Sequence, residues 1–314
     1  MSSGLMSLPR GVPLLGDQEP RLCSLPPYDP AYTTGRAVEL AALGGLSLDP
    51  WQRLVLEAGL RRRAGKWAAF EVCLIVARQN GKGTVLEALE LAALFLYPDV
   101  RLILHSAHEF KTAAEAFLRI RSLIEDNPEF DGQVARVRTA AGAEAIELRD
   151  GKRLRFVARS SGSGRGFTSD LVILDEAYKL GDQEMSALLP TLSARPDPQV
   201  WYTSTAGNPD SIQLGRVRAR GVAGGDPSLA FLEWSVDPDA YDPASEADWA
   251  RANPGLGIRI APDYIGREMA ALGPDAFARE RLSVGDYPVD GAGEWDVVGR
   301  DAWSACAARG SVLL

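Results

Sequence analysis

The sequence is poor in cysteine and histidine. Cys23, Cys73 and Cys306 are its only cysteines, far apart and without a CxxC pair, and its two histidines are His105 and His108. This excludes a disulfide framework, offers no zinc-ligand spacing and fits a reducing compartment. The two histidines lack a third ligand at metal-site spacing and are expected to be structural. Long apolar runs are missing too. No segment approaches the roughly 18 residues of a membrane span, and the N-terminus has no basic stretch followed by an apolar core, so neither membrane insertion nor secretion is expected. A net positive charge is also absent. At a formal charge of −8 the chain is no general polyanion binder, so any contact with nucleic acid has to be local. No internal repeat or low-complexity tract is visible.

What is present is an ordinary globular composition, 46% hydrophobic and 24% charged over 314 residues, enough to bury a sizeable core. Residues 1–35 carry scattered prolines (Pro9, Pro13, Pro20, Pro26, Pro27, Pro30) and read as a loosely held, extended N-terminal arm. Asp49-Pro50-Trp51-Gln52 sets a capping acid before a proline, a helix start. From there strands and helices alternate. Phe70–Val76 and Arg101–Ser106 read as apolar strands, Thr84–Leu96 as a helix apolar nearly all round, and Glu109–Ile124 as an amphipathic helix. Ala145–Leu148 and Leu154–Val157 flank Asp150-Gly151, a hairpin signal. Leu171–Leu174 and Val200–Ser204 are short apolar strands separated by a helical stretch around Gln183–Leu192. Beyond Gly224-Gly225-Asp226-Pro227 come one strand-like run, Leu229–Val236, and helices near Ser245–Ala252, Pro262–Leu272 and Asp275–Val284. The expected organisation is an α/β core over 36–225 with a mostly parallel sheet, and a small helical subdomain over 226–314.

Three segments carry chemistry. Val76–Gly83 has the layout of a phosphate-binding loop, a strand-to-helix turn whose N–H groups and Lys82 balance phosphate charge. It departs from GxxxxGK[ST] at Val76 and at Gly83, the second being the place of the hydroxyl that holds Mg²⁺. About 90 residues later, Leu171–Leu174 runs into Asp175-Glu176, which places a metal-binding carboxylate beside a base for the attacking water. Thr203-Ser204-Thr205-Ala206-Gly207 ends the next strand with small hydroxyl residues that can sense a γ-phosphate.

Taken together, these segments resemble the large terminase subunit of tailed double-stranded DNA bacteriophages. Arg78-Gln79-Asn80-Gly81-Lys82 is similar to that family's variant phosphate loop, Leu174-Asp175-Glu176-Ala177 to its Walker B segment and catalytic glutamate, and Thr203–Gly207 to its coupling motif. Pro50-Trp51-Gln52 resembles the adenine-side segment, with Gln52 reading the base, and Trp249 with Asn253-Pro254 resembles a segment following the ATPase core. The resemblance implies a P-loop NTPase of the additional-strand, RecA-like class that hydrolyses ATP with Mg²⁺ to move double-stranded DNA into a procapsid. It would work as a homo-oligomeric ring with a portal protein and a small terminase subunit, in the cytoplasm of the infected host. Arg78, Gln79, Asn80, Gly81, Lys82, Gly83, Thr84, Gln52, Thr203, Ser204 and Thr205 would bind nucleotide, and Asp175 would hold the metal. Thr84 or a water would replace the hydroxyl missing at Gly83, and Glu176 and Lys82 would be catalytic. No nuclease activity is expected from this chain. The alternatives are a DExx helicase-like ATPase and a degenerate, non-catalytic nucleotide site kept as a DNA or assembly scaffold.

Arginines complete the expectations. Arg165, in Gly162-Ser163-Gly164-Arg165-Gly166, is the candidate arginine finger that the resemblance implies, with Arg78 as its rival. Arg149, Lys152, Arg153, Arg155, Arg159 and Arg165 face only Asp150 as an acid, making the hairpin a candidate grip on DNA phosphates. Arg61-Arg62-Arg63 with Lys66 reads as a solvated helix end or partner surface.

Overall fold

A computed structural model describes residues 14–159 and 168–288. In chain order the strands are β1 (Leu22–Ser24), β2 (Arg62–Arg63), β3 (Lys66–Trp67), β4 (Glu71–Ile75), β5 (Leu102–Ala107), β6 (Val134–Arg138), β7 (Ala145–Leu148), β8 (Arg153–Ala158), β9 (Leu171–Asp175), β10 (Gln199–Ser204) and β11 (Leu229–Glu233). The helices are α1 (Gly35–Leu43), α2 (Pro50–Gly59), α3 (Lys82–Phe95), α4 (Phe110–Glu125), α5 (Pro128–Asp131), α6 (Asp182–Leu192), α7 (Ile212–Ala223), α8 (Glu246–Ala252), α9 (Pro262–Ala271) and α10 (Pro274–Leu282). α2 starts as its sequence dictates. Pro50 occupies the first turn and Asp49 and Gln52 form a reciprocal capping box.

A nine-stranded sheet in the order β1-β11-β4-β10-β9-β5-β8-β7-β6 forms the centre. From β11 to β8 all neighbours are parallel. Antiparallel β1 closes one edge, and β7 and β6 close the other. β10 lies between β4, which feeds the Gly-Lys loop, and β9, which ends in Asp175, so an additional strand separates the two. Register brings Ser204 beside Ile75 and Thr203 beside Asp175, so the ends of β4, β10 and β9 open on one edge.

Alternation along the strands divides the core between two faces. Val72, Leu74, Ile103, Ile173 and Trp201 pack with Trp51, Val55, Val85, Leu89, Phe117 and Ile120 from α2, α3 and α4. Cys73, Ile75, Val172, Leu174 and Tyr202 pack on the opposite face with Met185 and Leu188 of α6 and Leu214 and Val217 of α7. α3 is buried along Val85–Leu94 because α1 and α2 cover the side turned from the sheet, which accounts for its all-round apolar sequence. A third cluster of Val236, Trp249, Leu256, Ile260, Ile265, Phe277 and Leu282 joins α8, α9 and α10. No helix among the described residues is long and apolar enough to cross a membrane.

Three expectations are corrected. Leu229–Glu233 does not belong with the C-terminal helices, because β11 pairs in parallel with β4 inside the main sheet. The N-terminal segment is tied down from Gly16 to Ser24: Gly16 N donates to Leu256 O (2.9 Å), Asp17 N to Ala250 O (2.9 Å), and β1 pairs with β11. Its polar backbone is taken up by the C-terminal helices and the sheet edge, which proline content alone did not reveal. The Arg61–Lys66 cluster is no helix end. Arg62 and Lys66 lie in the β2–β3 pair, where Arg62 stacks 3.3 Å over the Trp67 ring and pairs with Asp197 at 2.8 Å.

Candidate functional site

β4 leads into the loop Ala77–Gly81, and Lys82 opens α3. Two backbone features shape the turn. Gln79 has φ 62° and Gly81 φ 102°, and at Gly81 an added Cβ would fall 2.7 Å from Gln52 Nε2. Only glycine fits that position without displacing Gln52. No side chain caps α3, so the amides of its first turn are left for another acceptor. Lys82 Nζ reaches back to the Val76 carbonyl at 3.5 Å. Burial pulls the Lys82 pKa below its ordinary value, opposed chiefly by Asp175 and reinforced by Arg78.

Asp175 ends β9 with its carboxylate held from two sides. Oδ1 accepts from Thr203 Oγ1 at 2.8 Å and from the Glu176 amide at 2.9 Å. Glu176 adopts φ 53°, an uncommon conformation for a residue with a side chain. Its Oε2 is buried and has no hydrogen-bond partner among the described residues. The Glu176 carbonyl takes a hydrogen bond from Arg159 Nη2 at 3.0 Å.

A cleft of about 280 Å³ unites these parts. Arg78, Gln79, Gly81, Lys82, Gly83, Asp175, Glu176 and Thr205 line it, all from segments that the sequence singled out. Thr112, Arg119 and Tyr178 complete the wall and were missed. A signal for the first two existed: they lie two turns apart on one side of α4, the helix that follows the carboxyl end of β5.

Other expected ligands are employed differently. Asn80 is completely buried, its amide nitrogen donating to Ala77 O, Arg78 O and Asn253 Oδ1. Gln52 is equally buried; Nε2 donates to Gly81 O at 2.9 Å and Oε1 accepts from Asp49 N at 2.8 Å, so its side chain braces the loop instead of facing a base. Thr203 and Ser204 are buried, with Thr203 on Asp175 and Ser204 Oγ accepting from Tyr178 N at 3.0 Å, so neither hydroxyl faces a γ-phosphate here. Thr84 is not among the residues lining the cleft.

The basic hairpin disperses in three dimensions. Lys152 is buried against Leu94 O (2.8 Å), and Arg149 donates to Gly132 O (3.0 Å). Arg159 binds Ser106 O (2.9 Å) and Glu176 O, with burial pulling its pKa down to about 10. Arg153 is exposed. Arg165 lies outside the described residues. His105 Nδ1 meets Glu90 Oε1 at 2.5 Å and both side chains are buried. No cluster of three or more metal-ligating side chains occurs among the described residues.

No protein-family model and no curated protein matches the sequence. Solved structures do match in fold. The large terminase of bacteriophage HK97 aligns with a TM-score of 0.69 at 22% identity, over 81% of this chain and 56% of that one. The chain thus spans little more than half the length of that protein. A Thermus phage large terminase ATPase domain aligns with a TM-score of 0.57 at 16% identity, over 80% of this chain and 98% of that domain. The large terminase of a thermophilic bacteriophage in complex with ADP aligns with a TM-score of 0.51 at 12% identity, over 74% of this chain and 52% of that one. The fold is that of the ATPase domain of phage large terminases, with the additional strand between the loop strand and the acidic strand.

Proposed function

We propose that this chain is an ATP-hydrolysing motor domain that drives double-stranded DNA into a viral procapsid. One observation carries the reading: Lys82, Asp175 and Glu176 line a single cleft where the ends of β4 and β9 meet the start of α3. An ammonium at an uncapped helix start suits a nucleotide's phosphates, and a carboxylate with a free, buried oxygen suits a base that accepts a proton from water. Lys82 and Arg78 hold the phosphates, Glu176 orients the attacking water, and Thr205 faces the γ-phosphate.

Mg²⁺ fits the donors present. Asp175 offers a hard oxygen: Oδ1 is occupied by Thr203 and Glu176, while Oδ2 has no hydrogen bond from the described residues. Mg²⁺ is commonly held by one or two carboxylates together with substrate phosphates and water. When bound it would neutralise charge on the phosphate oxygens. Thr203 and the Glu176 amide hold Oδ1 of the Asp175 carboxylate and would leave Oδ2 for the metal.

Double-stranded DNA, a homo-oligomeric ring, a portal protein and a small terminase subunit are the proposed partners, in the cytoplasm of the infected bacterium. Arg165 is the proposed finger reaching a neighbouring subunit's nucleotide. Phosphate release by the purified protein, with and without double-stranded DNA, tests the reading. Glu176→Ala and Lys82→Ala are each expected to lower turnover about 10²-fold or more. Wild-type release no faster than in both variants would leave a non-catalytic scaffold as the better reading. Mixing Arg165→Ala with Glu176→Ala subunits should restore activity, and no recovery where rings form would remove the finger.

A further inference from the structure

Gly83 stands where a phosphate loop of this kind ordinarily places the hydroxyl for its metal, and the structure shows what occupies the space beside it. An added Cβ at Gly83 would lie 3.4 Å from Arg119 Nη2 and 3.7 Å from Glu87 Oε1. Arg119 comes from α4, across the cleft from the loop, and lines the same cavity as Lys82, Asp175 and Glu176. Its Nε donates to Glu87 Oε1 at 2.7 Å. Glu87 lies on α3 one turn beyond Gly83 and is 8% exposed, so it holds the guanidinium over the start of the helix. The two Nη groups have no other hydrogen bond among the described residues, and the side chain keeps 49% of its surface open.

We propose that Arg119 is a nucleotide-binding residue of this site, which grips the terminal phosphate from α4 through the gap that glycine at position 83 leaves open. The inference rests on the nucleotide reading of the cleft. A guanidinium anchored through Nε presents its Nη pair as a fork, the geometry that matches two phosphate oxygens. A Cβ at position 83 would already touch Arg119 Nη2 at van der Waals distance, so glycine here leaves the space beside the fork open. The pair with the buried Glu87 carboxylate fixes the guanidinium, and the same arginine on a phosphate makes a charge-assisted contact.

The test is equilibrium binding of fluorescent ADP and a fluorescent non-hydrolysable ATP analogue, each with Mg²⁺, alongside thermal unfolding without nucleotide. Arg119→Ala is made both alone and with Glu87→Gln, so that no carboxylate is left unpaired near the helix. Both proteins are expected to bind the triphosphate analogue about 10-fold or more weakly, ADP by a clearly smaller factor, and to unfold at the wild-type temperature. Arg119→Lys should recover part of the triphosphate affinity. Equal losses for the two nucleotides, no loss, or a fall in unfolding temperature in both Arg119→Ala proteins overturns the assignment. Wild-type protein that binds neither nucleotide overturns the reading of the cleft itself, and this inference with it.

Discussion

Asn80 Nδ2 donates to Asn253 Oδ1 at 3.1 Å, across 173 residues of sequence, and the Gly255 amide returns a hydrogen bond to Asn80 Oδ1 at 2.8 Å. Asn253 in turn donates to Trp249 O and Arg281 O, both at 2.8 Å. Arg281 Nη1 reaches Arg78 O at 3.0 Å, and the Arg78 amide meets Glu280 O at 3.3 Å. The loop is therefore held by the C-terminal helices and not only by the sheet.

From that arrangement, Asn80→Ala is expected to cost roughly 2–3 kcal/mol, since it strips partners from the buried amide of Gly255 and the side chain of Asn253. Asn253→Ala should cost a similar amount. Because the two share their bonds, the double variant should be less destabilised than the sum by about 1 kcal/mol or more, measured by denaturant unfolding. Additive losses would mean that the two side chains act independently.

Thr203 offers a second prediction. Its hydroxyl is buried and donates to the Asp175 carboxylate, so Thr203→Val keeps the shape of β10 and removes only that donor. Supporting hydrogen bonds to metal-binding carboxylates are commonly worth about 10–100-fold in metal affinity. The Mg²⁺ concentration that gives half-maximal phosphate release should rise by about 10-fold, with ADP binding in the absence of metal unchanged. An unaltered Mg²⁺ requirement would return Thr203 to a packing role.

Much of the fold could be read from the chain because its central strands are short apolar runs bounded by breakers, as in Glu71–Ile75, Leu171–Asp175 and Gln199–Ser204. Such runs announce a covered parallel sheet without stating its neighbours. The position of β11 beside β4 depends on register across the sheet, which local pattern does not carry. The same division runs through the candidate site. Lys82 opens the helix that follows β4, and Asp175 and Glu176 stand at the end of β9, where spacing signals chemistry. Gln52 and Asn80 look like ligands by residue type, and only their burial against Gly81, Ala77 and Asn253 shows that they brace the loop. The spacing of Thr112 and Arg119 on α4 is visible in the chain, but the nearness of Arg119 to Gly83 is not, because it arises from the packing of α4 beside α3.

Lys82 makes a prediction about stability that opposes its proposed role in activity. Burial lowers its pKa from the ordinary 10.5, so the folded chain binds fewer protons than the unfolded chain between the lowered value and 10.5. Stability therefore rises with pH through that window, and below it the cost of the desolvated ammonium is fully present. Lys82→Met should abolish phosphate release yet melt above wild type at pH 7 without nucleotide. The gap should narrow as pH is raised toward 10.5, followed by thermal unfolding of both proteins. A variant that melts below wild type at pH 7 would show that Lys82 supports the loop even without phosphate.

The end of the hydroxyl-rich strand supplies the last prediction. Gly207 and Gly285 approach so closely that a Cβ on Gly285 would lie 2.7 Å from Gly207 N and 2.8 Å from Gly207 O. A Cβ on Gly207 would lie 2.6 Å from Asp286 O and 2.8 Å from Tyr287 Cε1. The Asp286 amide donates to Gly207 O at 3.2 Å, and Tyr287 lies half-buried behind it with its hydroxyl pKa pushed up by desolvation. At Gly285 the nearest obstacles are backbone atoms of Gly207, which cannot swing aside as a flexible side chain would. Gly285→Ala should cost about 1–3 kcal/mol by overpacking, and Gly207→Ala at least as much. Because Gly207 follows Thr205 and the segment 284–287 follows α10, the strain falls where the cleft meets the chain leaving the C-terminal helices. Phosphate release should therefore fall in Gly285→Ala even at temperatures where denaturant unfolding shows the variant fully folded. Full activity in a folded Gly285→Ala protein would separate this contact from the chemistry of the cleft.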